Sequence, residues 1–159
     1  MTRNILSLLI LCLLTPSIFA QKSAKAAYAE IGGPGLASVN YDMRFAKKND
    51  GLGWRAGIGG FSISDGYGDR VSILTLPVGI NYLLGKDDKN YFEVGVGFTY
   101  ISTKDNGGGN FNSSFGNLTI GYRHAPAGSG FLFKAEITPV FGSGFFIPYY
   151  GGIGFGYKF

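Results

Sequence analysis

Few residues in this chain could do chemistry by themselves. His124 is the one histidine and Cys12 the one cysteine. A single imidazole cannot build a histidine metal cluster, and a single thiol cannot build a thiolate site. His124 stands before Ala125-Pro126 in a turn-like stretch, and the serine that follows it in that stretch is Ser129. That is the setting of a solvated turn residue, not of a nucleophile paired with its base. Glycine pairs such as Gly57/Gly59, Gly95/Gly97 and Gly152/Gly154/Gly156 complete neither G-x-G-x-x-G nor a P-loop. They stand inside alternating segments rather than before a helix, which favours relief of crowding over phosphate binding. No catalytic residue, metal or cofactor is expected, and the chain is read as a non-enzyme.

The charged residues carry more information, because alternation places them on one side. Arg44, Arg55, Glu93, Arg123 and Lys158 fall near one end of their segments, and Glu30, Asp42, Lys134 and Glu136 share their phase. A buried charge must be paired or it costs several kcal/mol, so these residues are expected to interlock as a network of ion pairs. The functional alternative is a narrow charged pore. Further along the same face stand Phe61, Ile63, Val71, Ile73, Ile101, Phe115, Val140 and Tyr150. They are expected to form a small dry core. The alternative for them is a pocket suited to an acyl chain or another apolar ligand.

Period-2 alternation over the whole chain positions these residues. Eight segments show it: Ala26–Gly32, Leu36–Phe45, Leu52–Ile63, Arg70–Leu84, Tyr91–Ser102, Ser113–Arg123, Phe131–Phe141 and Tyr149–Phe159. Val39, Tyr41 and Met43 oppose Asn40, Asp42 and Arg44; Val94, Val96 and Phe98 oppose Glu93, Gly95 and Gly97. Turn chemistry separates the segments, as in Gly32-Gly33-Pro34-Gly35 and Lys47-Lys48-Asn49-Asp50-Gly51. If the glycines at 32–35 made only a bulge, residues 26–45 would be one long strand and the count seven; the hairpin reading gives eight.

Glycine is abundant at 27, and aromatics comprise 14 Phe, 10 Tyr and 1 Trp. The apolar faces are larger and more aromatic than a small water-soluble sandwich needs, while the opposite faces carry glycine and mixed charge. A membrane barrel has that inverted pattern, with aromatic girdles near its strand ends. The net charge of +4 is too mild to imply nucleic acid.

Both termini fit the same reading. Residues 1–20 read as a secretory signal peptide: Arg3, the apolar run Ile5 to Leu14, Pro16, and Ala20 before Gln21. Cys12 falls inside it. At the other end, Ile153, Phe155, Tyr157 and Phe159 form an apolar face that finishes on an aromatic residue. This terminal strand resembles that of bacterial outer-membrane barrels, and the chain as a whole resembles the small OmpA/OmpX-like barrels of Gram-negative bacteria. The resemblance implies an all-β, antiparallel up-and-down transmembrane barrel of eight strands over residues 21–159. It also implies an outer-membrane location and a terminal strand read by the outer-membrane assembly machinery. Membrane lipid is the expected partner, and the protein is expected to be a monomer. Counting from the N-terminus, residues 46–51, 85–90 and 124–130 would face the periplasm, and 33–35, 64–69, 103–112 and 142–148 would be outer loops. The role this implies is structural or envelope-maintaining. Binding of an apolar ligand or action on a lipid, and a narrow channel, are the alternatives.

Overall fold

A computed structural model describes residues 23–64, 70–105 and 109–159. The expected signal peptide, with Cys12, lies outside the described residues. Ten strands are present in that region: β1 (Lys25–Gly32), β2 (Ala37–Arg44), β3 (Gly51–Ser64), β4 (Arg70–Leu84), β5 (Asn90–Asp105), β6 (Gly109–His124), β7 (Gly130–Ile137), β8 (Val140–Gly142), β9 (Phe145–Ile147) and β10 (Gly151–Lys158). Neighbours pair antiparallel in the order β5-β4-β3-β2-β1-β10-β7-β6, and a β5–β6 pairing closes the ring. β8 continues the line of β7, and β9 that of β10, so the ten strands make an eight-stranded closed barrel. The interruption falls at Thr138-Pro139. Pro139 has no N–H to give to the ladder, and its carbonyl accepts instead from the Leu118 N–H at 2.9 Å.

The first hairpin is a true hairpin, not a bulged strand. β1 pairs with β2 from Lys25↔Met43 to Ile31↔Ala37. The turn needs left-handed backbone at Gly32 (φ 77) and Gly33 (φ 63). A Cβ on Gly32 would stand 2.2 Å from the Gly151 carbonyl oxygen, so only glycine fits there.

Two expected loops differ from the sequence reading. Residues 103–105 and 109–112 continue the ladder, with Thr103↔Phe111 and Lys104↔Asn110 paired across β5 and β6, and 106–108 lie outside the described residues. Their glycine and asparagine content suggested a turn, but cross-strand pairing outweighs a weak local propensity. Residues 142–148 contain the β8–β9 hairpin, turned at Gly144 (φ 82). Residues 65–69 of the remaining loop lie outside the described residues. At the opposite end, the turn after Leu84 is held by Asp87, whose carboxylate accepts from the Asn90 and Lys89 N–H groups. The Asn90 N–H, the Asn90 side chain and the Lys89 N–H lower the Asp87 pKa to about 2.

Sidedness follows from the phase. Ile58, Val78, Ile80, Val96, Phe98, Ile120 and Phe155 stand exposed on the outer wall, while Glu30, Asp42, Arg44, Arg55, Glu93, Arg123 and Lys134 are buried inside. This is the inverse of a water-soluble barrel. Aromatic side chains gather at the end that carries the chain termini, where Tyr41 touches both Trp54 and Phe159.

Candidate functional site

The lumen is built in layers. At the end that carries the termini (the near end), Ala26, Tyr28, Leu83, Tyr91, Ala125 and Leu132 form a small buried apolar cluster. Lys158 spans the mouth beside it. Its ammonium donates to Asn49 Oδ1 and to the carbonyls of Pro126 and Ala127, at 2.6 and 3.0 Å for the carbonyls.

Above this lies the charged layer. Arg123 grips Glu93 with two parallel bonds of 2.8 Å, from Nε to Oε2 and from Nη2 to Oε1. It also reaches Asp42 at 3.1 Å. Arg44 binds the other Asp42 oxygen at 2.6 Å. Asn81 completes this group by donating to Asp42 at 2.8 Å and to Glu93 at 2.7 Å. A second group centres on Lys134, whose ammonium lies 2.6 Å from Glu136, 3.3 Å from Glu30 and 3.7 Å from Glu93. Arg55 faces Glu136 at 3.7 Å and donates to Thr119 at 3.1 Å. The Tyr28 ring lies between the groups, 5.1 Å from Lys134 Nζ and 5.7 Å from Arg123 Cζ. Four cations thus meet four carboxylates, and each of these side chains is at most 4% exposed. Charge-assisted, multidentate bonds in a dry interior are what such a cluster needs to persist.

The structure therefore brings together eight of the nine predicted lumen charges: Glu30, Asp42, Arg44, Arg55, Glu93, Arg123, Lys134 and Glu136. Lys158 is held apart, on neutral acceptors at the mouth. Its place on the last strand sets it below the carboxylates. Several partners went unnoticed in the sequence. Asn40, Asn81, Thr119 and Thr138 all hydrogen-bond into the network. Their inward phase was a usable signal, but neutral side chains do not announce themselves as charges do.

Next comes a layer formed by the first turn. Residues 33–35, expected as an exposed outer loop, are buried. Thr99 donates to the Pro34 carbonyl at 2.8 Å and Thr75 to the Gly35 carbonyl at 2.7 Å. The Gly33 N–H donates to the Gly151 carbonyl at 3.1 Å. This turn lies inside the barrel, across the charged layer. The correction has a physical cause. β1 and β2 are shorter than β3–β6, so their turn falls within the height of the wall. There, buried carbonyls must find donors.

The apolar residues beyond the turn do not pack as the expected dry core. Phe115 and Val140 are buried, and Ile73, Ile101 and Tyr150 are half-buried. Phe61, Ile63 and Val71 are exposed, at 40%, 60% and 37%. They line an open trough, because the wall beside β3 ends at the first hairpin. His124 sits at the near end, its Nδ1 3.1 Å from Asn90 Oδ1, which also accepts from the Tyr122 hydroxyl. No group of three or more His, Cys, Asp and Glu side chains that could hold a metal occurs among the described residues.

No family model and no curated protein matches the chain. Its fold is similar to that of the N-terminal β-barrel domain of Pseudomonas aeruginosa OprF, with a TM-score of 0.56, 15% identity, and coverage of 87% of this chain and 98% of that one. A second similar structure is Ail, the attachment invasion locus protein of Yersinia pestis, in complex with the heparin analogue sucrose octasulfate. There the TM-score is 0.46, the identity 15%, and the coverage 86% and 97%. At this identity the likeness concerns fold: the chain has the eight-stranded architecture of small outer-membrane barrels.

Proposed function

We propose that this protein is a resident of the outer membrane with a structural or envelope-maintaining role and a sealed lumen. The carrying observation is the balanced, buried network of four cations and four carboxylates, overlain by the inserted 33–36 turn. An eight-stranded barrel is just wide enough for its side chains to fill. Paired charges of both signs leave no one-sign path for an ion, which favours a plug over the narrow channel. The apolar outer wall supports membrane residence, since its exposed Ile, Val and Phe side chains would otherwise face water. A non-enzymatic role accords with His124, whose Nδ1 lies against the Asn90 side chain rather than a nucleophile. In this reading residues 1–20 are removed on export. The face Ile153, Phe155, Tyr157 and Phe159 is presented to the assembly machinery, and the mature barrel works as a monomer in lipid.

Planar-bilayer recording tests the central claim. Purified wild-type protein is expected to stay electrically silent. Steady, reproducible single-channel currents would overturn the plug and promote the pore. Recovery of the protein in the soluble periplasm, instead of with outer membranes, would sink the location.

A further inference from the structure

The polarity of the wall inverts along its height. On the outer face of β3–β6 the apolar residues end at Ile58, Leu74, Tyr100 and Leu118, and beyond them stand Ser62, Ser72, Ser102 and Ser114. The register puts these serines on one face and next to the last apolar residues: Ser62↔Ser72, Leu74↔Ser102 and Tyr100↔Ser114. Ser62 and Ser72 are joined through their hydroxyls at 3.0 Å. At the same height the inner face becomes mostly apolar, with Phe61↔Ile73 and Ile63↔Val71 paired across the strands, beside two hydroxyl residues, Thr103 and Ser113, which pair with Ile73 and Ile101. Below that line the barrel is built for lipid outside and polar side chains inside. Above it, the strands read like a water-soluble sheet with its apolar face turned inward.

Among the described residues that inward face is not enclosed. β1 and β2 contain 8 residues each, while β3 contains 14. At the tilt of such barrels eight residues rise about 20 Å, against an apolar band about 25 Å tall. Above the first turn the wall has a gap. Residues 60–63 pair with β4 alone, and β9 with β8 alone, among the described residues. An open groove of about 690 Å³ crosses the lip at β1–β3, where Ile31, Val39 and Ile58 of the outer belt meet Phe61 and Ile73 of the trough, with the polar Glu30, Ser38 and Ser62 also in its lining. The lip is strongly exposed: Ile31 is 72% and Val39 61% accessible. The floor hydroxyls, Thr75 and Thr99, already donate to the turn. Phe61, Ile63, Val71, Ile73, Ile101 and Phe115 bring no charge and no hydrogen-bonding group. Six apolar side chains against the two hydroxyls of Thr103 and Ser113 favour a hydrocarbon chain over a glycan or phosphate.

We infer that the outer trough is a binding site for one acyl chain of a membrane lipid, which enters sideways from the outer leaflet over the β1–β2 turn. The inference rests on the proposed outer-membrane setting and goes beyond the structural role. Its occupant follows from the continuity of the trough with the lipid-facing belt across the lip. The site takes the chain and leaves the headgroup outside.

The test uses the protein purified from membranes and placed in phosphatidylcholine nanodiscs containing a phospholipid with a terminal diazirine on one acyl chain. Photolabel is expected on inward residues of β3, β4 and β6 around Phe61, Ile73 and Phe115, besides the belt. Phe61→Asn, and separately Ile73→Trp to fill the trough, should lower trough labelling about tenfold, the change that follows loss of one aliphatic contact face. Both should leave belt labelling near Val96 unchanged, and a heat-modifiable gel shift confirms that each variant folds. Label confined to the belt in wild type and variants alike overturns the site. Trough labelling by a diazirine-bearing free palmitate, with none from the phospholipid, overturns lateral entry of a membrane lipid. If the protein instead leaves the membrane fraction, the location fails, a result separate from both.

Discussion

The near and far halves of the lumen are made by the same strands and the same alternation, yet they end in opposite states. In the near half all eight staves are present, and inward side chains meet partners on every side. Lys134 on β7 reaches Glu30 on β1 and Glu93 on β5. In the far half β1 and β2 are gone, so Phe61 and Ile63 stand beside a gap in the wall. The comparison teaches that phase decides which side chains point inward, whereas completeness of the wall decides whether they become a core or a surface.

The largest effect should come from the near half. Arg123→Gln strips Asp42 and Glu93 of their shared guanidinium, and should cost about 3–5 kcal/mol of folding stability in lipid because the carboxylates stay buried. Phe61→Ala in the far half should change stability by no more than about 0.5 kcal/mol, as a partly exposed side chain does. Urea titration of folding into vesicles compares the two; equal costs would erase the contrast.

An intermediate effect belongs to the outer wall. Val96→Arg should cost about 2–4 kcal/mol if it lies near the bilayer midplane, and Ile120→Arg similarly. Ser102→Arg, beyond the polarity inversion, should be close to neutral on the same scale. Equal penalties at Val96 and Ser102 would mean that the belt boundary is misplaced.

The smallest effect concerns the floor that separates the halves. Thr75→Val and Thr99→Val each remove a donor from a buried carbonyl of the 33–36 turn, at about 1–3 kcal/mol apiece. Their signature is local. Hydrogen exchange at Gly33 and Leu36 should accelerate, while the amides around Glu93 and Arg123 stay protected. Uniform acceleration would show that the turn is not a separable layer.

Much of this was readable from residues in order. Val96 beside Gly97, or Tyr41 beside Asp42, assigns outside and inside without any knowledge of neighbours, because side chains alternate along any strand. The same logic put eight of the paired charges on one face. Asn81 and Thr99 were on that face too, but nothing local distinguishes a hydrogen-bonding asparagine or threonine from a filler of space. The Gly-Pro-Gly turn was legible as a turn and misjudged as a surface loop.

What the sequence by itself determined was the all-β class, the eight alternating segments, the inverted polarity and the identity of the inward charges. All follow from a period of two residues and from turn chemistry, which act over a few bonds. Only the tertiary structure decided that Arg123 meets Glu93 and Asp42, that Lys158 stands apart, that the first turn enters the lumen, and that the apolar far end stays open. Those outcomes depend on the relative lengths of β1–β2 and β3–β6 and on the stagger of strands around a closed ring. Both are sums over the whole barrel, and no single segment contains them.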